Sequence, residues 1–447
     1  MSSNLYWIWL SLRIGAGRSG FVELLEHFGT PENIYSADAS ELLQFKKNKW
    51  DSRIDALLDK NLENAYNIEK YCAKKHIQIL KYKEKGYPVQ LLNLKNPPVI
   101  LYAKGNINNL DKKVCISIVG TRKLTEYGRR SAYKIGYELA SAEAVVVSGM
   151  ALGIDAVAAC GALDARGKTI AVLGSGVDYI YPSVHKKLSE QIIKNGLILS
   201  EYPPLEAPTK GSFPTRNRII SGLSQGTLVI EADQRSGALI TAKDAIIQGR
   251  DVYSLPGNVN NPTSEGTNSL IKDGATPITC AADILENYKY IYRESLDLSA
   301  LARIGDRSEL KFGALSAHGV DEGGDGFAVK KEGAVSSLLH SKKRVDGQTV
   351  NRMVGNTDFP EFEAPPKLRE MSEEEKRAAS DNGTAKLLEG LDEKYLKVYN
   401  AIPAGENVSL DTVCRAGYDP RTAMSLLTTL EMKGLITVLP GGLYRRK

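Results

Sequence analysis

The chain has 447 residues, 42% of them hydrophobic and 25% charged. That is too long for one ordinary core and too apolar for a disordered chain, so two to four compact units are expected. A formal net charge of +5 permits contact with nucleic acid without demanding it, so the placement of the cations matters more than their sum.

The N-terminus begins polar and lacks a basic stretch leading to a small-residue cleavage site, which argues against secretion and for the cytoplasm. Residues 1–80 read as an N-terminal helical domain. Its runs LYWIWLSLR, FVELLEHFG and IDALLDKNLENAYNIEKYCAKK carry apolar residues at helical spacing. Ile14-Gly15-Ala16-Gly17 joins the first two helices. Such a hairpin turns backbone N–H groups toward a phosphate in helix-hairpin-helix modules, or it is simply a tight turn.

Residues 81–290 form the next expected unit. Its paired prolines in YPVQLLNLKNPPVILYAKGN suggest extended edge structure at the start. From Val114 onward, apolar runs alternate with helix-length segments: VCISIVG, AVVVSGM, TIAVLGSG, GLILSEYP, GTLVIEAD and DVYSLPG. Continuous apolar strands between helices predict an α/β fold, a Rossmann-like, doubly wound parallel sheet covered on both faces. The apolar stretch from Ala144 to Ala165 is interrupted by Ser148, Asp155 and glycines, so it reads as a buried strand running into a helix and not as a membrane span. No membrane insertion is expected.

Residues 291–388 mix glycine with charge and read as a flexible linker. Residues 389–447 regain order. LDEKYLKVYNAI, SLDTVCRAGY and DPRTAMSLLTTLEMKGL predict three helices, and ITVLPGGLYRRK predicts a Gly-Gly hairpin, the outline of a winged helix.

In an open parallel sheet, ligands collect at the carboxyl ends of the strands. The loop after the first core strand holds Gly120, Thr121, Arg122 and Lys123, a phosphate-binding composition. The second exits through Ser148 and Gly149 toward Asp155, and the fifth through Ser236 and Gly237 into a helix. The densest stretch is 210–218, with Lys210, Ser212, Phe213, Arg216, Asn217 and Arg218. Three cations and one aromatic ring suit phosphate pairing plus stacking of an unpaired base, which duplex DNA does not present. The alternative is that Phe213 is a core residue and that Arg216 or Arg218 pairs with Glu201 or Glu231.

Nucleotide-enzyme motifs fail on inspection. GALDARGKT separates its glycines by five residues and leads into a strand, so it is no phosphate loop of an ATPase; in Gly174-Ser175-Gly176, Tyr179 stands where a dinucleotide fingerprint needs its third glycine. His185 is the lone histidine of the sheet region, and Glu201, Glu231 and Asp233 have no nucleophile and base beside them. Binding without turnover is the expectation, with no cofactor. The five cysteines have no paired spacing, so reduced thiols and no metal are expected.

Taken in order, IVGTR, SGMALGID, LGSGVDYIYP, SEYPP, FPTRNRIISGLS, VIEADQRSGALITA, GRDVYSLPGNV and SEGTNSLIKDGA resemble the DNA-processing protein A (DprA, or Smf) family. The helical N-terminus, of helix-hairpin-helix or SAM-like type, and the winged helix resemble its longer members, and only the long linker departs. The resemblance implies a homodimer that holds single-stranded DNA in a basic groove, protects it during natural transformation and loads the RecA recombinase while displacing single-strand-binding protein. It implies phosphate pairing by Arg122 and Lys210, stacking by Phe213, further contacts from Arg216, Asn217 and Arg218, and close approach of the strand at Gly120, Gly149 and Gly237. Two rival functions stand beside it: a Rossmann-like nucleotide hydrolase, and a duplex-DNA regulator acting through the winged helix with Arg421 and Lys433.

Overall fold

The computed structural model describes residues 3–46, 52–309, 311, 313–320 and most of 392–446. It divides into two units, 1–337 and 338–447.

The first unit is built on a nine-stranded sheet: β1 (Gln78–Lys81), β2 (Ile100–Gly105), β3 (Cys115–Val119), β4 (Val145–Ser148), β5 (Thr169–Leu173), β6 (Leu197–Ser200), β7 (Gly226–Val229), β8 (Asp251–Ser254) and β9 (Thr276–Pro277). The spatial order is β1-β2-β6-β5-β4-β3-β7-β8-β9. The strands from β6 to β9 are all parallel, whereas β1 and β2 add an antiparallel extension to the β6 edge. The proline-bearing segment expected at an edge therefore supplies one strand, β2, and β1 just before it completes the extension. The chain winds outward from β3 to β6, then returns to lay β7 on the other side of β3, which puts the topological switch point between β3 and β7.

Every residue of β3, β4 and β5 is buried, as strands covered by helices on both faces must be. Local signals start the covering helices. Thr125 caps Glu126–Ser141 by accepting the Gly128 N–H, and Asn261 with Pro262 opens Pro262–Lys272. The helix Ile154–Asp164 is buried almost throughout, which accounts for the long apolar stretch after residue 144. No helix among the described residues is long and apolar enough to cross a membrane.

The N-terminal helices do not stand apart from the sheet. Trp9 and Phe21 belong to the same continuous hydrophobic core, and Phe21 meets Tyr82 edge-on at 5.1 Å. The expected linker also begins later than its composition suggests. Short helices at Ser299–Ile304 and Ala314–Ala317 pack on the sheet unit, because Leu315 and Val320 are buried there and His318 Nε2 lies 2.6 Å from Asp164. Residues 321–388 of that linker lie outside the described residues.

The second unit is a winged helix. Helices Glu393–Asn400, Leu410–Cys414 and Pro420–Met432 pack with β10 (Val408–Ser409), β11 (Ile436–Leu439) and β12 (Leu443–Arg446), in the sheet order β10-β12-β11. Its own core includes Val398, Leu427 and Ile436. The Arg421 side chain and Lys433 lie outside the described residues.

Candidate nucleic-acid interface

An open cleft of about 850 Å³ runs along the carboxyl ends of the central strands, over the switch point. The loop after β3, the loop after β7 and the helix Ser212–Leu223 wall it in, so three stretches distant in sequence meet there. Arg122, Lys123 and Lys210 are exposed at its rim and make no ion pair among the described residues. Uncommitted cations at a cleft mouth pair with phosphates without first breaking an internal bond.

Phe213 is half-buried beside them. The Arg122 guanidinium lies 5.6 Å from the ring centroid, and the Tyr181 ring lies 5.7 Å away at 43°. The position before Ser175 must be small, because a Cβ on Gly174 would come within 3.0 Å of the Phe213 ring. The result is an aromatic pair flanked by a cation, the composition on which an unpaired base stacks. Tyr181 was not among the residues singled out from sequence. The signal was the aromatic run in LGSGVDYIYP at the exit of β5, and its exposure, 46%, shows only in the fold. At the opposite wall, Ser236 caps the helix Gly237–Ile247 by accepting the Ala238 N–H at 3.3 Å. Gly237 stands open, with nothing within 4 Å of where a Cβ would be. Asn217 also faces the cleft, and its Oδ1 accepts from Arg216 Nε at 3.1 Å.

Other expected contacts are turned inward. Arg216 is only 5% exposed. Its Nη1 donates to the carbonyls of Gly149, at 2.9 Å, and Val172, tying together the ends of β4 and β5. Burial lowers its guanidinium to about 10, partly offset by nearby Asp155. Arg216 reaches the cleft only at its floor, so it organises the site instead of standing free in it. Arg218 pairs with Glu201, the carboxylate alternative foreseen for this stretch; Glu201 is buried and Arg218 half-buried. Ser148 Oγ donates to Ile118 O at 2.9 Å, and Ser212 Oγ to Thr209 O at 2.9 Å, so both hydroxyls hold backbone. Thr121 is likewise occupied, accepting the Lys123 N–H at 3.2 Å.

Two of the glycines serve packing instead of strand approach. A Cβ on Gly120 would lie 2.6 Å from Ile154, and one on Gly149 would lie 2.4 Å from Arg216 Nη2. Gly149→Ala is therefore expected to destabilise the fold by about 1–3 kcal/mol through overpacking. Urea unfolding measures it, and a midpoint equal to that of the parent would contradict the packing role.

Gly17 of the half-buried N-terminal hairpin also packs against the protein. The Gly17 backbone lies beside the Glu201 carboxylate, its carbonyl accepts from Asn96 Nδ2 at 3.1 Å, and its φ is +72°. A Cβ there would lie 2.4 Å from Thr215 Cγ2, so the hairpin is seated on the helix that carries Phe213.

The acidic groups near the cleft hold structure. Glu231 is buried and accepts from the Thr125 N–H at 2.9 Å and from Thr263 Oγ1 at 3.2 Å. Burial pushes the Asp155 carboxyl up, while its Oδ2 accepts the Gly149 N–H at 3.0 Å. His185 is fully buried with Nδ1 3.0 Å from Met150 O, and burial lowers its basicity. Among the described residues, no group of three or more His, Cys, Asp or Glu is arranged to hold a metal ion.

Known proteins are similar to this chain. Residues 78–289 match the family model described as DNA recombination-mediator protein A, and residues 383–442 match the DprA winged helix domain. The DNA processing protein DprA of Bacillus subtilis (strain 168) is 41% identical over 210 residues, 47% of this chain and 71% of the relative. That of Streptococcus pneumoniae (strain R6) is 43% identical over 204 residues, 46% of this chain and 72% of the relative. The X-ray structure of DprA from S. pneumoniae superposes with a TM-score of 0.55 at 33% identity, covering 64% of this chain and 98% of that one. With residues 78–289 and 383–442 both matched and relatives more than 40% identical, the chain belongs to the DNA-processing protein A (DprA/Smf) family.

Proposed function

We propose that the chain binds single-stranded DNA along the cleft over the β3/β7 switch point, without turnover, and presents that strand to a RecA-type recombinase during recombination and natural transformation. The observation that carries this reading is the half-buried Phe213, set between Arg122 and Tyr181 and flanked by the exposed Lys123 and Lys210. A stacked duplex offers no base face to such a ring, whereas a single strand offers one at every nucleotide. Binding without chemistry is supported by the carboxylates and histidine around the cleft, whose polar atoms hold backbone and hydroxyl groups. Family membership supports the recombination role, with displacement of single-strand-binding protein, a homodimeric assembly and a cytoplasmic setting as its parts.

Equilibrium binding of fluorescent oligo-dT and a matched duplex across a salt titration, with neither nucleotide nor metal added, tests the reading. The expected result is a preference for oligo-dT on the order of tenfold or more. Its log affinity falls with log salt by about 0.7 for each phosphate paired. Equal affinity for the duplex would favour the winged helix as the DNA-binding element. No binding, with release of free base from a nucleotide, would favour the hydrolase.

A further inference from the structure

We infer that the N-terminal helical segment positions the aromatic pair of the cleft: Gly17, Glu201 and Arg218 set the helix that carries Phe213, and Tyr71 with Asp178 sets the loop that carries Tyr181. This rests on the single-strand reading of the cleft and adds residues that touch no DNA.

The helix geometry separates the two tasks. Residues five apart on an α-helix point about 140° away from each other, so Phe213 faces the cleft while Arg218 faces the glycine hairpin. There Arg218 meets Glu201 at the end of β6, and the Gly17 backbone lies beside both, with Arg218 Nε 3.6 Å from where a Gly17 Cβ would be. Asn96 holds the hairpin from its other side, and Thr215, between Phe213 and Arg218, packs where Gly17 has no side chain. The ion pair is an expensive way to join two elements. Glu201 is 5% exposed, and Arg218 Nε and Nη1 are buried without partners among the described residues. Apolar side chains would join the same surfaces at less cost but would tolerate sliding, whereas a directional pair selects one register.

The second contact is independent. Tyr71, on the helix Glu63–Lys74, donates its hydroxyl to Asp178 Oδ2 at 2.9 Å, and Lys104 of β2 pairs with the other oxygen. Asp178 lies three residues before Tyr181, and its own N–H donates to Pro204 O at 2.8 Å. The N-terminal segment thus bears on both elements whose rings meet at 5.7 Å. Stacking falls off with small displacements, so the spacing of those rings governs how well a base is held.

The full-length chain carrying Gly17→Ala or Tyr71→Phe tests this with oligo-dT containing one 2-aminopurine, whose fluorescence reports stacking. Leu42→Ala is the control, since Leu42 is fully buried in the same segment but takes part in neither contact. Gly17→Ala is expected to bind roughly tenfold more weakly and Tyr71→Phe roughly threefold, both with less stacking signal. The salt dependence stays that of the parent, because no phosphate-pairing cation is removed. Leu42→Ala lowers thermal stability yet binds as the parent does. Parental affinity in Gly17→Ala and Tyr71→Phe, or an equal loss in Leu42→Ala, overturns the inference while leaving the single-strand reading intact. If Gly17→Ala does not fold, Tyr71→Phe decides alone. A parent chain that does not bind oligo-dT overturns the single-strand reading and this one with it.

Discussion

Phe213→Ala is expected to weaken binding of oligo-dT by about 5- to 150-fold while leaving the salt dependence of the affinity unchanged, because stacking one base contributes about 1–3 kcal/mol and releases no counterion. Lys210→Ala should behave in the opposite sense, with a shallower salt dependence by about 0.7 for one lost phosphate contact. Arg122 combines the two behaviours, since its guanidinium both stands at the rim and lies over the Phe213 ring. The effects of Phe213→Ala and Arg122→Ala should therefore be less than additive, whereas those of Phe213→Ala and Lys210→Ala should add. Fluorescence anisotropy over a salt series on the single and double variants separates these outcomes. Parental affinity in all of them would remove the cleft as the binding site.

Arg218→Ala is expected to have the largest effect on stability, about 3–5 kcal/mol, because it strands the Glu201 carboxylate in a buried setting. Burial already pushes the Glu201 carboxyl up, opposed first by Arg218 and then by the Gly17 backbone. Removing Arg218 raises it further. A carboxyl whose folded-state pKa lies above its unfolded value binds protons more readily when folded, so stability is retained at low pH and lost as pH rises through the folded value. The deficit of Arg218→Ala relative to the parent should therefore shrink as pH falls from neutrality into the range where Glu201 protonates. Adding Glu201→Gln should recover part of it at neutral pH. Urea denaturation of the parent and the two variants at two pH values measures both effects, and a deficit independent of pH would show that Glu201 is not the stranded charge.

Much of the molecule is legible without coordinates. The largely apolar runs at 115–119, 145–148 and 169–173 imply strands covered on both faces, and those strands lie together within the parallel sheet. Gly-Gly after the third C-terminal helix announces a wing, and a three-stranded sheet stands there. The winding rule for open α/β sheets directs attention to the strand exits, where Arg122, Lys123, Lys210 and Phe213 do converge. What misled was composition where a few buried anchors decide the outcome. The segment 299–320 looks like linker by glycine and charge, yet Leu315 and Val320 suffice to seat it.

Local rules are carried by the sequence itself: hydrophobic period, strand burial, helix starts and the clustering of cations with a ring at 210–218. These depend on neighbours within one or two turns, so no folded partner is needed to read them. Tertiary structure decided the direction of each side chain, and with it the role. Arg216 and Arg218, two residues apart in one basic motif, part company because one finds the carbonyls of Gly149 and Val172 and the other finds Glu201. Tyr181 joins the site, and Gly17 of the hairpin seats on the helix that carries Phe213, for the same reason. Each role follows from a partner distant in the chain, and a buried charge or donor goes where that partner lies.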